Sequence, residues 1–189
     1  HRPSGLFQSE AILARNLLGA IPAEAVRAVS SRIWRRMSSA MAVALAIATS
    51  MIKVIKLPMG GSVTLFSMLF IVLIGYWYGI KVGLTAALAY GVLQLLLDPY
   101  ILNIPQVLLD YILGFGALGL SGIFSNSRHG LIKGYIVGVI GRFICSFLSG
   151  WIFFAVYTPD FFNSAILYSL AYNGAYIGLE AAITLIVLA

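Results

Sequence analysis

The sequence predicts an all-α integral membrane protein with six transmembrane helices and both termini in the cytoplasm, and three observations carry this. Of 189 residues, 61% are hydrophobic and 10% charged, with a mean hydropathy of +0.99, far above that of a soluble domain of this size. Nineteen glycines against six prolines are spread through the apolar runs, which suits packed membrane helices rather than the short alternating strands of a β-barrel. The basic residues gather at the ends of those runs, as the positive-inside rule requires.

At about 20 residues per span, the stretch from Met37 onward has room for about six helices. That leaves no space for a soluble catalytic or ATP-binding domain. Residues 1–36 differ in character. They scatter Ala, Leu, Ile and Val among Arg15, Arg27, Arg32, Arg35 and Arg36, a basic amphipathic pattern suited to a membrane surface. They are expected to be an N-terminal extension outside the fold, with residues 37–189 forming the membrane domain.

The spans are expected at Met37–Ile55, Val63–Trp77, Val82–Leu97, Gln106–Phe124, Leu131–Phe154 and Ala165–Leu188. Breakers separate them: Pro58-Met59-Gly60-Gly61, Tyr78-Gly79, Asp98-Pro99, the run from Ser125 to Gly130, and Thr158-Pro159-Asp160. With the N-terminal arginines inside, Lys81, Arg128 and Lys133 also fall inside and Asp98 and Asp160 outside. Lys53 and Lys56 are the exceptions. The 12 Lys+Arg against 6 Asp+Glu therefore read as topology and not as a nucleic-acid surface. The single cysteine, Cys145, lies in an apolar run, where its thiol is unreactive.

Small residues recur at four-residue spacing in Ala40-xxx-Ala44 and Gly134-xxx-Gly138, which lets helices approach closely, either within the chain or against a partner. Ionisable groups within a span are functional candidates because a charge in hydrocarbon costs about 2.5–3.5 kcal/mol even on insertion scales. Asp110, Arg142 and Glu180 qualify. Asp110 and Arg142 are either a ligand site or a structural ion pair, and Glu180 is expected in a polar crevice or toward a helix end.

Tyr100, Tyr111, Trp151, Phe154, Tyr168, Tyr172 and Asn173 fall toward the same outer half as Asp110. A carboxylate among aromatic faces suits an aromatic cation. Gly119-Leu120-Ser121-Gly122 matches the G-x-S-G pattern of rhomboid intramembrane proteases, but that chemistry needs a histidine on another span. The histidines are His1 and His129, one in the extension and one in a loop, so Ser121 is assigned to helix packing. No metal-ligand spacing and no phosphate-binding lysine loop occurs, so neither a metal nor a cofactor is expected.

Several blocks, in this order and spacing, resemble the thiamin-specific S components of energy-coupling factor (ECF) vitamin transporters: Pro58-Met59-Gly60-Gly61-Ser62, Gly83-Leu84-Thr85-Ala86, the segment Gln106 to Ile112 with its Asp110-Tyr111 pair, Gly119 to Gly122, Ser149-Gly150, and Tyr168-Ser169-Leu170-Ala171-Tyr172-Asn173-Gly174. The resemblance covers Ser38 to the C-terminus. It implies a non-enzymatic membrane subunit that takes thiamin at the outer face of a prokaryotic cell membrane and docks on a shared transmembrane subunit and two cytoplasmic ATPases. The family's site residues fall on Tyr100, Asp110, Tyr111, Arg142, Ser146, Gly150, Phe154, Tyr168 and Asn173. Ser146 departs from the family pattern, which has histidine there. By the same resemblance Ala40 and Ala44 would meet the shared subunit, and the Leu57–Ser62 loop, hinged at Gly60 and Gly61, would be a lid. Two other readings stand beside this one: an S component for a different vitamin or precursor, and a membrane channel or scaffold.

Overall fold

The structure is a computed structural model that describes residues 22–188. It divides into two units, residues 1–38 and 39–189. In the first, the described residues belong to helix α1, Ala23–Met51, and residues 22–37 are exposed throughout. The earlier part of the expected extension, residues 1–21, lies outside the described residues.

The second unit is built from helices. After α1 come strand β1 (Lys53–Lys56), a 3-10 turn at Pro58–Gly60 and strand β2 (Ser62–Thr64). Then follow α2 (Ser67–Tyr78), α3 (Ile80–Leu97), the composite helix α4 (Ile104–Phe124), α5 (Gly130–Phe153) and α6 (Ala165–Leu188). Among the described residues, α3, α4, α5 and α6 are long and apolar enough to cross a membrane. The twelve residues of α2 reach about 18 Å at 1.5 Å per residue, short of the ~30 Å hydrocarbon core.

Two expected boundaries shift for one reason. The helix expected over Met37–Ile55 ends at Met51, and the one expected from Val63 starts at Ser67, because the intervening chain pairs with itself. β1 and β2 form an antiparallel hairpin in which Ile55 faces Val63 and Lys56 faces Ser62. Val, Ile and Thr read as apolar helix in a membrane sequence, yet they are also strand formers, and the Pro58-Met59-Gly60 turn brings them together.

The helix interfaces are lined by small residues, since lipid supplies no hydrophobic drive for helices to associate. A Cβ on Gly83 would lie 2.7 Å from the Gly75 Cα, and one on Gly119 would lie 2.6 Å from the Leu84 Cα. This glycine contact pulls α2, α3 and α4 together. Gly134 and Gly138 do the same for α5, where added Cβ atoms would stand 3.0 and 3.1 Å from the Cα atoms of Ser121 and Leu118. Their spacing serves contact within the chain and not a partner. Ser121 is fully buried and donates to the Val72 carbonyl at 3.0 Å. Ala40 and Ala44 lie on the exposed side of α1, whereas Ala42, Ala46 and Ser50 form its buried stripe.

Polar side chains tie these helices at a few points. Gln94 on α3 donates to Ser50 on α1 (2.6 Å) and to the Tyr90 hydroxyl (2.7 Å). Glu180 is not at a helix end but lines a polar crevice with Thr64, Ser67 and Gln94. It lies well inside α6 with 4% exposure, and its carboxylate accepts four hydrogen bonds. Oε2 takes the Thr64 amide (3.2 Å) and hydroxyl (2.7 Å), and Oε1 takes the Ser67 hydroxyl (3.1 Å) and the Met68 amide (3.3 Å). Phe66, in the left-handed conformation just before α2, supplies no side-chain cap. Glu180 therefore caps α2 from another helix, with its negative charge at the positive end of the α2 dipole.

Glu180→Gln turns one accepting oxygen into a donor facing donors. It is expected to lower the stability of the ligand-free protein by about 1–3 kcal/mol, read as a fall in melting temperature in detergent. An unchanged melting temperature would remove Glu180 from this role.

Candidate functional site

The ends of α3, α4, α5 and α6 that adjoin the hairpin line a cavity with about 880 Å³ of empty space, its open mouth included. Tyr100, Asp110, Tyr111, Arg142, Ser146, Gly150, Phe154, Tyr168 and Asn173 all line it, together with Gly60 and Gly61 from the hairpin. Residues from five separate segments thus converge on one space.

Asp110 owes its position to an irregular helix. Asn103 caps the first turn of α4 by accepting from the Gln106 amide at 2.9 Å, with Pro105 just inside the helix start. Over Leu108–Leu113 the backbone then widens into a π turn, a rare geometry that concentrates at functional sites. Asp110 sits in this turn. Its Oδ2 accepts from Gln106 Nε2 and from Ser149 Oγ on α5, both at 2.7 Å. Oδ1 takes no hydrogen bond among the described residues.

The ion pair that sequence alone allowed between Asp110 and Arg142 is not formed. The Arg142 guanidinium instead lies over the Phe115 ring, 3.8 Å from its centroid, held by the ring's negative face. Its Nε and Nη1 are buried without a hydrogen-bond partner. The cavity therefore holds a carboxylate and a guanidinium that make no direct contact with each other. Among the described residues the cation–carboxylate pair within salt-bridge distance is Lys53 with Asp98, which ties β1 to the end of α3.

Tyr111 is engaged by backbone. Its hydroxyl accepts from the Tyr100 amide at 2.9 Å and donates to the Asp98 carbonyl at 3.0 Å, fixing the chain that follows α3. That chain carries Tyr100, whose ring stacks on Phe154 with centroids 5.6 Å apart and planes 27° apart. The aromatic wall continues along α6, where Tyr168, Tyr172 and Tyr176 follow at intervals of one helical turn, with centroids 5.9 and 5.8 Å apart.

Asn173 reaches the cavity because Gly150 lets α5 and α6 come close. A Cβ at Gly150 would lie 3.0 Å from Asn173 Nδ2. Asn173 donates to the Ser169 carbonyl at 3.0 Å and accepts from the Tyr176 hydroxyl at 3.0 Å. Ser146 is buried, one turn beyond Arg142 on α5.

Sequence reasoning passed over the residues that hold the site. Gln106, 1% exposed, also donates to the Tyr100 carbonyl (3.2 Å) and accepts from the Leu102 amide (3.1 Å), so one side chain sets both Asp110 and the neighbouring turn. Its i, i+4 spacing to Asp110 was the available signal. Ser149 shares the inward face of α5 with Arg142 and Ser146, a signal that appears once helical periodicity is applied to the polar residues of a span.

Comparisons with known proteins give the chain a family. Residues 36–189 match the model of the family described as Thiamine transporter protein (Thia_YuaJ). The chain is similar to the Thiamine transporter ThiT of Bacillus subtilis (strain 168), 33% identical over 136 residues that make up 65% of this chain and 70% of that protein. It is similar also to the solved structure of ThiT from Listeria monocytogenes, with a TM-score of 0.68 and 25% identity over 84% of this chain and 94% of that one. The family and its Bacillus member are transporters, not enzymes. The match spans the helical unit and its cavity, and the chain belongs to the thiamine transporter family.

Proposed function

We propose that this protein is the thiamin-binding S component of an ECF-type vitamin importer, with high affinity for thiamin. The observation that carries this reading is the convergence on one cavity of a half-free carboxylate, an unpaired guanidinium and a run of aromatic faces. Asp110 serves as the anion for a cationic heteroaromatic ligand. Phe154 and Tyr168 supply stacking faces, Asn173 and Ser146 polar contacts, and Tyr111 keeps Tyr100 in place. Arg142 is left for an acceptor group on the same ligand.

In this reading the six helices are embedded in a prokaryotic cell membrane, with α2 too short to cross it alone, the cavity opens outward, and both termini are cytoplasmic. The ligand-binding fold starts near Met37, so removing residues 1–36 leaves thiamin affinity intact; a detergent-soluble truncated protein without binding would place the fold's start upstream. The hairpin turn at Gly60 and Gly61 is the lid. The exposed side of α1 at Ala40 and Ala44 meets the shared transmembrane subunit, which couples the protein to two ATPases.

Asp110→Asn is expected to weaken thiamin binding by about 2–5 kcal/mol, the usual result of truncating one side of a buried charge pair. Because Arg142 lies on Phe115 and not on Asp110, the melting temperature of the ligand-free variant should stay close to that of the parent. Tryptophan-fluorescence titration and thermal unfolding of the same sample check both. Lost stability with preserved affinity would make Asp110 a structural residue.

Ala40→Leu or Ala44→Leu adds bulk on an exposed helix face. Thiamin affinity of the isolated protein should be unchanged, while co-purification with the transmembrane subunit and thiamin uptake by cells fall. Equal uptake in parent and variants would reject this face as the docking surface.

A further inference from the structure

One phenol holds the crown of the hairpin. The turn closes on itself where the Leu57 amide donates to the Gly61 carbonyl at 2.8 Å, leaving the Pro58 carbonyl and the Gly61 amide to find partners elsewhere. Tyr172 on α6 serves both: its hydroxyl donates to the Pro58 carbonyl and accepts from the Gly61 amide at 3.0 Å. A Cβ on Gly61 would stand 2.6 Å from the Tyr172 oxygen, so the clasp also requires glycine there.

Between these two contacts the backbone is left-handed, with φ of +60° at Met59 and +90° at Gly60. Met59, with its side chain in that disfavoured region, is met by the Tyr168 hydroxyl at 3.7 Å from its sulfur. On the opposite side Gly60 rests against Tyr100, where an added Cβ would lie 3.2 Å from the Tyr100 Cβ. The crown thus bridges the cavity from α6 to the segment after α3.

The two ends of the hairpin are held differently. At its base, Thr64 is fixed to the buried Glu180 carboxylate through amide and hydroxyl. The crown depends on a half-buried phenol. Base and crown both attach to α6, eight residues apart at Tyr172 and Glu180, so the crown can lift while the base stays anchored.

We propose that Tyr172 is the latch of the lid, a positioning residue that sets how fast ligand enters and leaves by clasping the Pro58–Gly61 turn across the cavity. This deepens the thiamin-binding reading and rests on it. Every group in the clasp belongs to the protein, so the clasp forms with or without ligand. It therefore opposes entry and exit alike and has little effect on the equilibrium between them.

The test is stopped-flow fluorescence with thiamin on the full-length protein and its Tyr172→Phe variant, which keeps the ring and removes the hydroxyl. Association and dissociation rates should both rise by about tenfold, as expected for the loss of one or two hydrogen bonds. Gly61→Ala, which displaces the phenol, should accelerate both rates as well, and the double variant should add nothing further. Faster dissociation alone, with a matching loss of affinity, would make the hydroxyl a ligand contact and overturn the latch. Unchanged rates, or loss of binding in both single variants, would overturn it equally.

Hydrogen exchange at the Gly61 amide, measured without thiamin, separates this proposal from the functional reading. It should quicken by about tenfold in Tyr172→Phe. If the parent protein fails to bind thiamin while this exchange still quickens, the ligand is wrong and the latch stands; unaltered exchange in a thiamin-binding parent overturns the latch alone.

Discussion

The Glu180 carboxylate is the point on which the rest of the helical unit depends. A buried anion is tolerated only where its lone pairs are satisfied, and in an apolar surrounding no water stands ready to do this. Glu180 meets the condition by gathering Thr64, Ser67 and the Met68 amide, the last strand residue of the hairpin and the first turn of α2. A helix of twelve residues with no cap of its own thereby gains a fixed start. The hairpin gains a fixed end, and α6 gains its register against both.

From that anchor the cavity follows. Its mouth is spanned by the crown of the hairpin and its walls by the ends of α3 to α6, so anything that sets the hairpin also sets the mouth. The opposite wall is governed by the π turn of α4. Gln106 and Ser149 both bond Oδ2 of Asp110, which holds the carboxylate still without saturating it. A regular α-helix would keep its backbone bonded at i+4; the π turn lets Asp110 lie at a wider radius, at the cost of weaker backbone bonding.

Polar residues within the spans divide into two kinds. Glu180, Ser121, Gln94 and Ser50 are paired with protein groups and hold helices together. Asp110 keeps one oxygen free and Arg142 keeps two nitrogens unpartnered. Both groups of the second kind line the cavity, and in the proposed function a bound ligand offsets their cost.

Composition by itself determined the membrane class, because helices in lipid must satisfy their backbone internally and so appear as long apolar runs that need no knowledge of neighbours. The end of α3 at Leu97 was legible because Asp98-Pro99 breaks the chain there. Grouping Asp110 with Tyr100, Phe154, Tyr168 and Asn173 was also within reach, through their shared depth along the spans and the family pattern of their blocks. The hairpin was not legible, because Lys53–Thr64 reads as apolar chain around a turn and its pairing is settled only when Glu180 and Tyr172 arrive from more than a hundred residues away. Nor could sequence decide whether Arg142 pairs with Asp110. That depends on the rotation of α5 against α4, which is set by glycines at Gly134 and Gly138 packing on Ser121 and Leu118, a three-dimensional fit between surfaces that a linear pattern does not contain.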